Sequence, residues 1–463
     1  MIIKSVLLDR KRFYLTSDDI NHNDNIYTVI IGVNGTGKSR LLQRITHNFK
    51  SSSEQNINFK IPQNYANHIE FEHGKKDYVI YSRAGINKSY IGDKEKNYST
   101  FKPNTKVIAV TTSPFDKFPV EYKGNAIYKH HDDDLYHYIG LRVSENSYNK
   151  SNFMHLLARS FIKNGIGEKQ KTVLRLLGYE SKSFVTFKYK IPLNYLFSHG
   201  GLIDHSISQF KKILQRYHPS LFTNIHKNNK DEIVDVIYKS LHNTFYDFYR
   251  GIVIDSDFSK NKDLLTLLDL GIIQVKDILL NKEGGSLSIS QASSGQQCIL
   301  LTILNISGVI RNNSIICIDE PEISLHPQWQ KRFMNLLMKC FDNYKKCHFI
   351  ISTHSPLIIS ELKSNNCYIL NMDSGKAIKS DYYIDKSADY QLVELFDEPG
   401  VNNEYLNRIV VSLLSKLSKQ GKLNIEDKKQ AKMLFKTSEK LEDHDTVKDL
   451  ILILSEALEK VKK

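Results

Sequence analysis

The stretch Ile30–Arg40, IIGVNGTGKSR, limits the fold more than any other part of the chain. It reads G-x-x-x-x-G-K-S, with Gly32, Gly37, Lys38 and Ser39 in register. A mostly apolar run, Ile26 to Ile31, precedes it, and Leu41, Leu42 and Ile45 follow at helical spacing. Strand, loop and helix in that order are the context a phosphate-binding loop needs. Glycines let the backbone wrap round a triphosphate, and the start of the next helix adds its positive end. Lys38 is expected to reach the β- and γ-phosphates, and Ser39 to place its hydroxyl on Mg²⁺. Asn34, Gly35, Thr36 and Arg40 complete the stretch assigned to ATP. A Gly-rich turn before a helix is the competing reading, and the flanking strand and helix signals argue against it.

The rest of the composition narrows the setting. Hydrophobic residues make up 41% of the 463 and charged residues 25%, an ordinary balance for a globular chain of one large head or two to three domains. No apolar run reaches the roughly 18 residues of a membrane span, and Lys4 follows too soon after Met1 for a secretory signal. Five cysteines without C-x-x-C spacing suit reduced core thiols, so the expected location is cytoplasmic. A net charge of +13 suits an acidic partner such as DNA, although a lysine-rich background gives the same figure.

Along the chain, strands are predicted at Ile2–Leu8 and Asn25–Ile31. Arg12, Phe13 and Tyr14 between them are candidates to cover an adenine ring, with core packing as the alternative. Short β-like runs at His68–Glu72, Asp77–Ser82, Lys88–Ile91 and Lys106–Thr111 read as an antiparallel meander. Eight basic residues against three acidic ones from Lys75 to Lys106 mark either a solvated face or a nucleic-acid edge. The segment Val107–Pro119 then reads as a strand ending in polar residues, with Ser113 or Asp116 placed to meet a γ-phosphate or a water. Helical spacing follows at Ser151–Leu177, Ile203–Tyr217, Asp231–Tyr249 and, more loosely, Leu264–Leu280. An apolar helix is expected at Cys298–Ile310, strands at Ser314–Ile318 and His348–Ile351, and helices from Tyr405 onward.

Four features stand in fixed order: the loop at 32–39, S-S-G-Q-Q at 293–297, I-C-I-D-E at 316–320 and S-T-H-S at 352–355. On these motifs the chain resembles ABC-type ATPase heads of the SMC-, OLD- and RecF-like branch within the AAA group. The resemblance implies an α/β fold: a mixed central sheet with flanking helices and an antiparallel β region. It divides the chain into an N-terminal half of the head (1–120), a mainly helical insertion (121–285), a C-terminal half (286–400) and a helical partner or oligomerisation lobe (401–463). Asp319 is then expected to hold Mg²⁺ with Ser39, Glu320 to activate the attacking water, and His354 to contact the γ-phosphate. Ser293, Ser294, Gly295 and Gln296 match the family signature, with Ala292 and Ser294 as departures. In such heads the signature acts in trans on ATP held by a second copy, so a homo-oligomer of at least two heads is implied. Ser324–His326 are expected at the seam.

The segment SPFDKFP, the run YHYIGLR at 136–142 and the L-H-P loop further resemble ATPases of bacterial anti-phage systems of the PARIS, Septu and retron-associated kinds. Those arrangements, similar to toxin–antitoxin pairs, set an ATPase beside a separate effector. A Toprim or HNH nuclease is the implied partner, and DNA or a phage protein the implied trigger. Asp381, Asp385, Asp389 and Glu394 lack the spacing of an OLD-type nuclease, so the chain itself is not expected to cut nucleic acid. The alternative is a DNA-binding ATPase of repair or recombination.

Overall fold

Six parallel strands buried on both faces form the centre of the computed structural model. The structure describes the chain except residues 18–19, 54–66, 75, 84–85, 93, 97–104, 114, 120–134, 141, 145–146, 149–150, 165–166, 182, 193–194, 199–200, 204, 224–229, 251, 255–261, 324, 361, 363–365, 384–385 and 463. The sheet runs Ala377–Lys379, Cys367–Asn371, Ile26–Ile31, His348–Ser352, Ile315–Asp319, Val107–Thr111 and Tyr136–Ile139, with only the first strand antiparallel. Near-continuous apolar runs produce it, because a strand covered on both sides has no polar face. Every residue of Ile26–Ile31, Val107–Thr111, Ile315–Asp319 and His348–Ser352 is buried.

Alternation along these strands still sorts side chains between two layers. Val29, Ile108, Val110, Ile316, Ile318 and Ile351 face one core, shared with the helices Ser151–Asn164 and Ser294–Val309. Ile30, Ala109, Cys317 and Ile350 face the other, where Leu41, Leu42, Ile45 and Phe49 of the helix Lys38–Ser53 cover them. Beyond that helix lies a six-stranded antiparallel sheet in the order Lys11–Tyr14, Ile2–Leu8, Asn67–His73, Lys76–Arg83, Ile86–Ile91, Lys94–Lys96.

The strand Val107–Thr111 corrects the predicted meander. It leaves the antiparallel sheet and pairs in parallel with Ile315–Asp319. Its run V-I-A-V is apolar without alternation, which is what a strand buried on both faces demands. A second correction falls at Leu264–Leu280. The helix stops at Asp269, Gly271 turns with φ +70°, and Ile273–Lys282 is a strand with alternating burial. That strand joins Ile252–Ile254, Ser183–Tyr189 and Gly285–Ser288 in a four-stranded antiparallel sheet, so the insertion carries β structure that its helical spacing concealed.

Helices Glu404–Gln420, Ile425–Ser438 and Thr446–Lys462 close round a core of their own, centred on Leu406, Val410, Leu413, Leu434 and Leu454. The expected aromatic covers divide: Phe13 is in the core, Arg12 pairs with Glu70 at 2.5 Å, and Tyr14 is half-exposed. All five cysteines are free, four of them buried. Among the described residues no helix is long and apolar enough to cross a membrane.

Candidate active site

Parallel pairing puts four chain segments, far apart in sequence, at one edge of the sheet. In register, Ile30 stands beside Ser352, Ser352 beside Asp319, and Asp319 beside Thr111. Each strand then ends, so the residues that follow converge where open α/β sheets bind ligands.

The loop after Ile31 depends on its glycines at two points. Gly37 has φ +100°, a left-handed conformation. A Cβ on Gly32, at φ +153°, would stand 2.9 Å from Thr36 Oγ1. Val33, Asn34 and Gly35 form the exposed tip, and the Thr36 hydroxyl donates to Val33 O at 2.8 Å. Lys38 is buried, and its ammonium donates back to Gly32 O at 2.6 Å and Val33 O at 3.3 Å. Burial lowers its pKa, against the opposing pull of Glu320, Glu322 and Asp319. Arg40 turns outward to Asp9 at 2.6 Å.

Asp319 is buried at the end of its strand and accepts hydrogen bonds from Ser39 Oγ at 3.1 Å and from Ser352 Oγ. Burial pushes its carboxyl up to about 6, with the neighbouring charges of Glu320 and Asp116 adding to the rise. Glu320 has φ +49°, a conformation side chains rarely take, and its N–H donates to Ser352 O at 3.1 Å. The half-exposed His354 presents Nε2 3.6 Å from Glu320 Oε1 and Nδ1 3.4 Å from Lys38 Nζ. Burial, with help from Lys38, lowers its pKa to about 4, so it is neutral at pH 7. Lys38, Ser39, Asp319, Glu320 and His354 are thus one cluster.

The residues fit a magnesium-bound triphosphate. A buried carboxylate and a hydroxyl already face each other, as a hard cation needs. The ammonium is held by its own loop's carbonyls, which phosphate oxygens can replace.

The signature residues stand apart. Among the described residues no hydrogen bond or ion pair links Ser293–Gln296 to Gly32–Arg40. Ser293 caps the helix Ser294–Val309, which begins four residues before the predicted start. The Gln296 N–H donates to Ser293 Oγ at 3.4 Å, and Ser293 N–H to Gln296 Oε1 at 3.3 Å. Ser293 and Ser294 are exposed, and Gly295 is buried beneath them.

Three residues to which the motifs assign no individual role support this machinery. Ser352 binds Asp319, and its place at the end of the adjacent strand was the available signal. Glu322 Oε1 accepts the His354 N–H at 2.5 Å. Asp277 accepts the Ser290 N–H at 3.0 Å and the Ser288 hydroxyl, fixing the turn ahead of the signature. Asp116 is occupied structurally, accepting Tyr138 OH at 2.8 Å and Phe118 N–H at 3.0 Å. Ser113 Oγ accepts the Phe115 N–H at 3.2 Å. Ser324, Asp385 and parts of the basic 75–106 stretch and the 136–142 run lie outside the described residues.

A phosphate loop, an Asp–Glu pair and a histidine on one edge of a parallel sheet define the head of a P-loop ATPase. Residues 1–359 match the AAA ATPase domain family AAA_15, and the chain belongs to that family. It is 35% identical over 105 residues to a Retron Ec83 probable ATPase of Escherichia coli, covering 20% of this chain and 19% of that one. It is 28% identical over 180 residues to a Retron Vc95 probable ATPase of Vibrio cholerae serotype O1 biovar El Tor, covering 35% and 34%. The chain thus matches 19% and 34% of the length of these curated relatives. Protein ea59 of Escherichia phage lambda is 36% identical over 70 residues, covering 15% and 13%. A solved SMC head domain from Thermotoga maritima aligns with 81% of this chain and 97% of that one, at 12% identity and a TM-score of 0.36.

Proposed function

We propose that this ATPase binds ATP with Mg²⁺ at Gly32–Arg40, pairs head to head with a second copy, and uses that pairing to control a separate nuclease in anti-phage defence. The observation that carries the reading is the contrast between a cluster assembled within one chain and a signature turn, Ser293–Gln296, whose capping serine is exposed and which makes no hydrogen bond to that cluster among the described residues. Backbone N–H groups of the loop and Lys38 bind the phosphates, while Ser39 and Asp319 hold the metal. Mg²⁺ held by these two residues would neutralise charge developing on the triphosphate. Glu320 takes a proton from the water as its oxygen bonds to the γ-phosphorus and the bond to ADP breaks. His354, as a neutral imidazole, hydrogen-bonds the γ-phosphate beside Lys38. Ser293, Ser294, Gly295 and Gln296 of the second copy close the site from the other side, where their helix N-terminus faces the γ-phosphate.

The names of two of the relatives, both retron probable ATPases, support the defence setting. A Toprim or HNH nuclease is the effector this reading calls for, with DNA or a phage protein as trigger. Copurification with the product of the adjacent gene, with and without ATP, tests it. An ATP-dependent complex with a nuclease is expected. Turnover stimulated by bare DNA, with steep salt dependence, and no such complex would instead favour the net charge of +13 as a DNA-repair feature.

A further inference from the structure

Glu322 stands two residues beyond Glu320, and its carboxylate enters the same cleft. Oε1 accepts the backbone N–H of His354 at 2.5 Å. Oε2 is buried and takes no well-formed hydrogen bond. A carboxylate in that position is costly to keep, which argues that holding this one amide matters. Two further bonds flank it. The Glu320 N–H donates to Ser352 O at 3.1 Å, and the Ser355 hydroxyl donates to Gln330 Oε1 at 2.7 Å. Gln330 in turn donates to Leu325 O at 2.9 Å. Glu320, Glu322 and Gln330 therefore hold the loop 352–355 at three points, and Glu322 is the grip on the histidine. The aim of the His354 ring between Glu320 and Lys38 depends on that backbone position.

We propose that Glu322 is a positioning residue for hydrolysis: its carboxylate fixes the backbone of His354 and ties that imidazole to the turn Glu320–Ile323. A shift of the turn, as when a second copy docks against it, then moves the imidazole relative to Glu320 and Lys38. This rests on the reading of His354 as a γ-phosphate contact.

Steady-state ATP hydrolysis and binding of a non-hydrolysable ATP analogue, measured on the full chain, test it. Glu322→Ala is expected to lower kcat about ten- to a hundred-fold, the scale of a small misplacement near the reacting atoms. Analogue affinity stays near the parental value. Glu322→Gln keeps a carbonyl oxygen in reach of the amide and restores most of the loss. The double variant Glu322→Ala/His354→Ala is no slower than His354→Ala alone, because both changes remove one contact. Additive losses, or a Gln variant as slow as the Ala variant, overturn the role of Glu322 and leave His354 standing. Parental kcat in His354→Ala overturns both. If Glu322→Ala does not fold, Glu322→Asp withdraws the acceptor by one methylene and enters the same cycle with the same expected non-additivity.

Discussion

The phosphate loop and the signature turn both lead into a helix through glycine and small polar residues, yet they are held in opposite ways. Around the loop, polar groups satisfy one another both locally, Lys38 on Gly32 and Val33, and across distant segments, Ser39 and Ser352 on Asp319. At the signature, Ser293 and Gln296 satisfy each other within one turn, and Asp277 braces the turn before it. The first arrangement is charged, buried and linked across the sheet, so substitutions there propagate. The second is neutral, exposed and local, so its surface can change while the fold stays.

Substitutions can break that contrast at either end. The largest effect is expected for Lys38→Ala, which removes the cation of the loop; nucleotide binding and turnover fall together, turnover by more than about 1,000-fold. Equilibrium binding of a fluorescent ATP analogue reads it, and retained affinity would remove Lys38 from the site. Glu320→Gln separates the two properties. Binding persists, kcat drops by about 100-fold or more, and paired heads accumulate in sedimentation with ATP. Unchanged turnover would end its assignment as the base.

Ser293→Arg sharpens the comparison from the signature side. The variant is expected to fold and bind ATP but not to pair, since an exposed cap is a surface change. Mixed with Lys38→Ala, it should regain about half of the activity of a parental pair, because one composite site is then complete. No recovery on mixing would count against the trans arrangement.

The smallest effect is in pH. Asp319 has its carboxyl raised from 3.8 to about 6, so the nucleotide-free fold carries a buried charge above that pH and is relieved of it as pH falls toward 3.8. Magnesium moves the other way, because it needs the carboxylate. The stabilisation by Mg²⁺ in a thermal melt should therefore fade as pH drops through about 6, roughly tenfold in affinity per unit below it. Asp319→Asn should abolish that dependence, and Ser293→Arg should leave it intact.

Much of the candidate site's placement was legible because its residues sit in short contiguous motifs, each with its own strand or helix signal. Ile26–Ile31, Ile315–Asp319 and His348–Ser352 announce themselves as mostly apolar runs, each followed by or ending in the polar or glycine residues of a motif. The sheet within residues 121–285 was not legible, since helical spacing in Leu264–Leu268 runs on into the strand Ile273–Lys282 with only Leu270, Gly271 and Ile272 between helix and strand. Glu322 and Ser352 escaped for a different reason. Their meaning lies in a neighbour more than 30 residues away, across a strand pair that single-segment patterns do not encode.

The row Ile30, Ser352, Asp319, Thr111 also says where this protein can be rebuilt. Each member has a fixed address within a strand, and deleting one residue ahead of it there would turn its side chain to the opposite layer. The segments between the addresses carry no such constraint, since lengthening a loop costs only slowly in closure entropy. Between Thr111 and Asp319, length can therefore change in the connecting loops, but not in the core helices Ser151–Asn164 and Ser294–Val309 that cover the sheet.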